Sequence, residues 1–274
     1  MPRFKLGVNR WSYPSSVKLE DALRHAARTG FDLFEPAVEE DDLRLLGRDE
    51  FDRRWKGLGE LASSLGIGIE TVATGLFWRY NPLVDSNAGV VRRIVEAEAR
   101  AANILGAKVI LVVPGLAVPE MGYDEQLEKL KRVWRALAPI AREYGVRIGV
   151  ENVWNRLLAG PLEMKWFLED LEPEVFGAYF DVGNVLPHSM PEHWIRLLKG
   201  RIVAVHVKDF YIPPTLDGLR FGVPLTGSIN WPGVRRALED AGYSGPITAE
   251  VPPYPGDPYK AAEDTLTALR KIFG

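Results

Sequence analysis

The second half of the chain carries four residues of metal-binding types, each at the end of a short apolar run. The runs are VRIGVENVWN, VFGAYFDVGN, RIVAVHVKDF and PITAEVPPY, and the residues are Glu151, Asp181, His206 and Glu250. Each run is rich in β-branched or aromatic residues and is bounded by Gly or Pro, a pattern that predicts buried strands. A single acidic residue at a strand end is usually a loop cap or salt-bridge partner, whereas four in succession indicate a common role. We predict that they hold a divalent metal ion at the mouth of a barrel.

The ligand types narrow the choice of metal. The chain has 0 Cys, which excludes disulfides and thiolate ligands. Three carboxylates and one imidazole suit Mn²⁺, our first expectation, with Co²⁺ or Mg²⁺ as alternatives and with water or substrate oxygens completing the shell. A zinc site more often has further His or Cys ligands.

The rest of the chain predicts a scaffold for these strand ends. Apolar runs at 4–9, 31–36, 67–74 and 108–115 read as four further strands. Stretches with helical spacing separate all eight strands, and Gly residues end several of them. The predicted helices cover 17–29, part of 39–65, 87–105, 123–144, 161–171, 191–198, 231–241 and 258–272.

Strict alternation of strand and helix predicts a parallel sheet. Eight such units in 274 residues favour a single (β/α)₈ TIM barrel, with one α/β domain over residues 1–274. The carboxyl ends of all barrel strands meet on one face, so the four ligand-type residues are expected to lie together there. No GxGxxG motif opens a helix after a strand, so a dinucleotide site is not predicted.

Composition and charge exclude several functions. The chain is 46% hydrophobic, which is enough to form a large core. Its formal net charge is −3, whereas a nucleic-acid binder usually has a basic face, so we expect no nucleic-acid partner. There is no long apolar span or signal-like segment, so we expect no membrane partner and a cytoplasmic location.

The motifs ENVWN, YFDVGN, HVKD and TAEVPPY resemble those of the xylose isomerase-like barrel superfamily of sugar isomerases and epimerases. Within it they are most similar to ketose 3-epimerases and hexulose-phosphate 3-epimerases. The resemblance implies a sugar 3-epimerase with the metal bound by Glu151, Asp181, His206 and Glu250. It also implies that Glu151 and Glu250 are the acid/base catalysts, that the substrate is a sugar or sugar phosphate, and that the protein is a homodimer or homotetramer.

The sequence departs from the free-sugar ketose 3-epimerases at three places. One is the loop after strand seven, where the Arg that they carry is not at the matching spacing. They carry a His three residues after the strand-six Asp, where this chain has Asn184. They also carry a substrate-binding Glu a few residues after the strand-five ligand, where this chain has Arg156, Leu157 and Leu158. DVGN and HVKD occur in the phosphosugar-like branch, so the resemblance leaves a free and a phosphorylated substrate open.

Three polar residues near the predicted mouth are candidates for substrate binding. Lys208 lies on the same side of its strand as His206, so it either reaches a substrate oxygen or phosphate or forms a salt bridge in the mouth. Asn184 either donates a hydrogen bond to substrate or shapes a turn. Arg220 either meets a phosphate or is an exposed loop residue.

Aromatic residues follow several of the predicted strands. Trp11 and Trp154 are expected to stack on the C–H faces of a sugar, and packing beneath loops is the alternative. The aromatic stretch 77–80 lines either the pocket or a subunit interface. Glu35 ends strand two at the same mouth and joins the substrate-site candidates, either orienting another group or forming a salt bridge.

Other functions compete with 3-epimerisation. An aldose–ketose isomerase or a keto-polyol dehydratase would use the same metal and the same pair of Glu residues. A DNA-cutting relative with a trinuclear zinc cluster would need more ligands than the 4 His of this chain provide. A catalytically silent sugar-binding barrel would not require both Glu151 and Glu250.

Overall fold

The computed structural model describes residues 4–213, 218 and 220–274. Its main sheet consists of eight strands: β1 (Leu6–Asn9), β2 (Leu33–Glu35), β3 (Thr71–Val72), β4 (Val109–Val112), β5 (Arg147–Glu151), β6 (Phe176–Asp181), β7 (Ile202–Val207) and β10 (Ile247–Ala249). All are paired in parallel, in the order β2-β1-β10-β7-β6-β5-β4-β3.

Backbone hydrogen bonds between β2 and β3 close this sheet. The amide of Phe34 donates to the carbonyl of Gly68 at 2.9 Å, and the amide of Val38 donates to the carbonyl of Ala73 at 2.8 Å. The predicted (β/α)₈ barrel is therefore confirmed.

The helices surround the sheet in the predicted order. They are α1 (Leu19–Thr29), α2 (Glu40–Leu45), α3 (Asp49–Leu65), α4 (Ala88–Leu105), α5 (Tyr123–Tyr144), α6 (Pro161–Glu169), α7 (Val182–Val185), α8 (Pro191–Leu197), α9 (Trp231–Asp240) and α10 (Lys260–Phe273). The stretch 39–65 contains two helices, because the chain turns at Gly47, whose φ of +87° suits glycine. No helix among the described residues is long and apolar enough to cross a membrane.

The segment between β7 and α9 is rich in Pro and Gly, a composition that indicates a loop. It instead contains an antiparallel hairpin of β8 (Asp209–Tyr211) and β9 (Arg220–Gly222). Asp209 anchors this hairpin, because its carboxylate accepts hydrogen bonds from the indole of Trp231 at 2.9 Å and from the amide of Ile229 at 3.2 Å. The hairpin brings Phe221 and Arg220 to the barrel mouth.

Strand alternation divides the core into two layers. Leu111, Tyr179 and Ala204 pack inside the barrel, whereas residues such as Ile110 and Val205 pack between the sheet and the helices. Successive side chains of a strand point to opposite faces. The residues two positions after Tyr179 and Ala204 therefore also point inward, and these are Asp181 and His206.

Candidate metal and substrate site

Four side chains converge at the carboxyl end of the barrel strands. Glu151 ends β5, Asp181 ends β6, His206 lies one residue before the end of β7, and Glu250 directly follows β10. One ligand atom from each of the four lies within 4.8 Å of the others. We call these four residues the mouth cluster. The fold thus brings together the residues that the sequence singled out.

His206 is held in one orientation by Glu35. The ring nitrogen Nε2 lies 2.7 Å from a Glu35 carboxylate oxygen, and Glu35 also accepts hydrogen bonds from Asn9 and Tyr179. The other ring nitrogen, Nδ1, lies 3.3 Å from Glu151 and 3.7 Å from Glu250. A carboxylate behind a histidine fixes its tautomer and makes it a better metal ligand. Nδ1 is therefore the nitrogen available to a metal ion.

Lys208 supplies positive charge within the mouth cluster. Its ammonium group forms ion pairs with Asp181 and Glu250, which is the salt-bridge alternative considered for this residue. Burial alone would lower the pKa of Lys208, but the two carboxylates outweigh it and raise that pKa. Gly183 makes room for this arrangement, because a Cβ atom there would lie 2.6 Å from Cγ of Lys208. This contact gives a physical reason for the glycine in DVGN.

The pKa values of the two glutamates of the mouth cluster are shifted in opposite directions. Burial raises the pKa of Glu151 to about 7, although its hydrogen bond to His206 opposes the shift. Burial would also raise the pKa of Glu250, but Lys208 and His206 outweigh it and lower that pKa. Carboxyl groups whose pKa values are driven apart can serve as an acid and a base in one site.

The mouth cluster fits a divalent metal ion. Three carboxylates and one imidazole form a donor set that Mn²⁺ and similar ions accept. Together with Glu35, four buried or partly buried carboxylates face two cationic side chains, His206 and Lys208. A divalent cation would offset this excess of negative charge.

A cavity of about 670 Å³ opens above the mouth cluster. Glu151 and Glu250 line it, whereas Asp181 and His206 are fully buried and are absent from its lining. The wall is mainly apolar and aromatic, and it contains Trp11, Trp78, Trp154, Phe221, Leu111, Val113, Val251 and Pro252. The two glutamates are therefore the members of the cluster that a bound molecule would meet.

Most of the sequence-predicted substrate residues line this cavity. They are Trp11, Trp154, Asn184, Lys208 and Arg220. The side-chain amide of Asn184 donates to the carbonyl of Asn152 at 3.0 Å, which is the turn-shaping role. In the stretch 77–80, Trp78 lines the cavity, whereas Phe77 is buried and contacts Trp134 edge-on.

Glu35 is the exception, and its place among the substrate-binding residues needs correction. It does not line the cavity and is only 1% exposed, because it lies behind His206 inside the barrel. Asn9, His206 and Tyr179 already occupy its oxygens. Its carboxylate instead contacts Nε2 of His206, as expected if it orients another group of the site.

Sequence reasoning missed three residues of the site. Tyr179 binds Glu35 and packs edge-on against His206 with ring centroids 4.6 Å apart. It lies two residues before Asp181, so strand alternation could have identified it. Asn152 joins the ends of β5 and β6 through a pair of hydrogen bonds with the backbone of Asp181 at 2.8 and 2.9 Å. Phe221 reaches the cavity only through the unpredicted hairpin.

The chain is similar to proteins of a known family. The family model of the xylose isomerase-like TIM barrel matches residues 23–272. The chain belongs to this family, which confirms the resemblance carried by its motifs.

Relatives of the chain include sugar epimerases. L-ribulose-5-phosphate 3-epimerase UlaE of Salmonella paratyphi A is 24% identical over 251 residues, covering 90% of this chain and 86% of that protein. The structure of D-psicose 3-epimerase with D-tagatose from Clostridium cellulolyticum H10 has a TM-score of 0.78 at 18% identity, over 98% of this chain and 99% of that one. A structure of L-ribulose 3-epimerase has a TM-score of 0.75 at 18% identity, over 99% and 97% of the two chains. These structural similarities show a shared fold.

Proposed function

We propose that the protein is a divalent-metal-dependent sugar epimerase that inverts carbon 3 of a ketose or ketose phosphate. Membership of the xylose isomerase-like family supports this proposal, as do relatives named as 3-epimerases. The observation that carries it is the placement of Glu151 and Glu250, which both line the cavity while Asp181 and His206 lie behind them.

The two glutamates approach the cavity from opposite ends of four neighbouring strands. The strand order is β10, β7, β6, β5, so Glu250 and Glu151 flank the strands that carry His206 and Asp181. Inversion next to a ketone requires one group to remove a proton from one face and another to return a proton to the opposite face. Two carboxylates on opposite sides of a planar intermediate meet that need.

The mouth cluster would hold the metal ion, and Mn²⁺ is the ion that we propose. When bound, such an ion polarises the ketone oxygen and stabilises the negative charge that develops when the proton is lost. Asp181 and His206 serve as ligands, with Glu35 fixing the ring of His206. Glu151 and Glu250 serve as ligands and also move the proton.

The apolar wall has a separate function. Trp11, Trp78 and Trp154 present ring surfaces on which the C–H face of a sugar can stack. An apolar wall also limits access of water to the reacting carbon, which strengthens the electrostatic interactions of the two glutamates. The wall thus adds stacking contacts to the polar contacts that the mouth cluster makes with the sugar.

Incubation of the Mn²⁺-loaded protein with ketoses and ketose phosphates in D₂O tests this function. We expect inversion at carbon 3 with incorporation of solvent deuterium at that carbon, followed by NMR. Deuterium at carbon 1 with formation of an aldose would instead identify an aldose–ketose isomerase, and loss of water would identify a dehydratase. Sugar binding without any exchange would identify a catalytically silent barrel.

A further inference from the structure

A second cavity of about 400 Å³ adjoins the catalytic cavity. The two share Val153, Trp154 and Asn184 in their walls. Among the described residues, the lining of the second cavity contains the cationic or protonatable side chains of Arg156 and His188 and no acidic side chain. We call it the Arg156 cavity. Its composition favours a negatively charged group.

The two cationic or protonatable side chains of the Arg156 cavity are available to a ligand. In the described part of the chain, neither the Arg156 guanidinium nor the His188 ring has a hydrogen bond or an ion pair, and both side chains are exposed. By contrast, Lys208 is paired with two carboxylates, and Arg220 lies over the ring of Tyr211 at 5.1 Å. An anion that enters the Arg156 cavity can therefore contact both side chains without breaking an ion pair of the protein.

The backbone at Arg156 is held in an unfavourable conformation. Arg156 and Leu158 have φ angles of +63° and +53°, in the left-handed region that residues other than Gly rarely adopt. Hydrogen bonds fix the loop: the side chain of Asn155 donates to the carbonyl of Gly115 at 2.6 Å, and the amide of Leu158 donates to the hydroxyl of Tyr123 at 3.2 Å. Such conformations persist where the surroundings enforce them, commonly at ligand-binding positions.

We propose that the Arg156 cavity binds the phosphate group of the substrate, which is therefore a ketose phosphate monoester. This inference rests on the proposed epimerase function, because the sugar must lie in the adjoining cavity with its reacting carbon beside Glu151 and Glu250. The phosphate end then passes Trp154 and is bound by Arg156 and His188. A guanidinium group matches two phosphate oxygens at once, which makes Arg156 the main determinant.

Steady-state kinetics with a ketose and its phosphate monoester test this subsite. In Arg156→Gln we expect the KM for the phosphate ester to rise about 10- to 100-fold, the loss typical of a hydrogen-bonded charge pair. Inhibition by inorganic phosphate should weaken by a similar factor. The value of kcat/KM for the unphosphorylated ketose should stay within about twofold. Arg92→Gln, which removes an exposed charge on α4, is the matched control and should change neither substrate.

Arg156→Gly separates the side chain from the backbone. Glycine adopts a positive φ readily, so this variant should be as thermally stable as the wild type or more so, yet it should lose phosphate affinity as Arg156→Gln does. If Arg156→Gln and Arg156→Gly lost activity equally toward the ketose and its phosphate ester, the phosphate subsite would be overturned. So would an effect confined to Arg220→Gln, which would place the phosphate at the hairpin.

Failure of the proposed function would look different. If the metal-loaded wild type epimerises neither sugar, titration with inorganic phosphate alone still reports on the Arg156 cavity. Binding to the wild type that is lost in Arg156→Gln and kept in Arg92→Gln would support an anion site. Equal binding, or no binding, in all three proteins would overturn it.

Discussion

The two halves of the barrel mouth end in different kinds of residue. Strands β5, β6, β7 and β10 end at the mouth cluster, and we call them the reactive half. Strands β1 to β4 form the supporting half, and the residues at or just after their ends are Asn9, Glu35, Thr74 and Val113. All four of these residues are buried.

The polar groups of the supporting half are already satisfied by the protein. Asn9 donates to Glu35, Glu35 holds His206, and the hydroxyl of Thr74 donates to the carbonyl of Val38 at 2.8 Å. In the reactive half, Glu151 and Glu250 face an open cavity. One half therefore holds the chemistry, and the other fixes its geometry and forms part of the wall.

The largest expected effect follows removal of a carboxylate from the reactive half. Glu151→Gln and Glu250→Gln should each lower kcat about 10²- to 10⁴-fold, the range typical of general acid or base groups. Steady-state assays with the metal-loaded variants measure this. Glu98→Gln is the control, because Glu98 is a fully buried carboxyl group on α4 and does not line the cavity. Full turnover by either mouth variant with metal bound would refute its acid/base role.

Lys208→Met tests the charge balance of the reactive half. Without the ammonium group, Asp181 and Glu250 lose their ion-pair partner in a largely buried setting, and breaking such a pair costs about 3–5 kcal/mol in the free energy of unfolding. Urea denaturation of the metal-free protein measures the loss, and saturating Mn²⁺ should restore much of it by supplying positive charge. Lys5→Met, which removes an exposed pair with Glu70, should change stability little. An equal loss with and without Mn²⁺ would contradict a metal at this position.

Glu35→Gln tests whether the supporting half affects metal binding through His206. The carboxylate fixes the ring so that Nδ1 faces Glu151 and Glu250, and loss of such a partner typically weakens metal binding about 10- to 100-fold. Calorimetric titration of the metal-free protein with Mn²⁺ gives the affinity. An unchanged affinity would show that the two halves are independent. A change in KM without a change in metal affinity would return Glu35 to the substrate-binding residues.

Trp11→Ala is expected to give the smallest effect. Trp11 contributes one ring surface to the cavity wall, and a stacking contact of this kind corresponds to about a two- to tenfold change in KM. The value of kcat should change less, because Trp11 does not contact the mouth cluster through any hydrogen bond of the described residues. Kinetics with the preferred ketose separate the two parameters. A larger loss in kcat than in affinity would give the supporting half a direct part in the reaction.

The mouth cluster could be predicted because each of its residues is identified by a short stretch of sequence. Each residue lies at the end of its own strand, and the barrel brings the ends of all strands together on one face. The link between Glu35 and His206 joins residues 171 positions apart, and no local pattern indicates it.

The hairpin shows a second limit. The residues from Asp209 to Gly222 lack the alternation that predicts strands, and Phe210 pairs with Phe221, which is not its neighbour in the sequence. The placement of Phe221 and Arg220 at the cavity could therefore not be predicted from the sequence. The split between α2 and α3 was missed for a simpler reason, because the turn signal at Gly47 lies within a stretch of mostly helix-compatible residues.

An anomalous-scattering map from crystals grown with Mn²⁺ would show whether the mouth cluster binds a metal ion. We predict one strong peak within bonding distance of Glu151, Asp181, Nδ1 of His206 and Glu250, with the Lys208 ammonium displaced from its position between Asp181 and Glu250. A map with no peak in the mouth, or with the ion bound elsewhere while Lys208 keeps both ion pairs, would show that the mouth cluster is not a metal site.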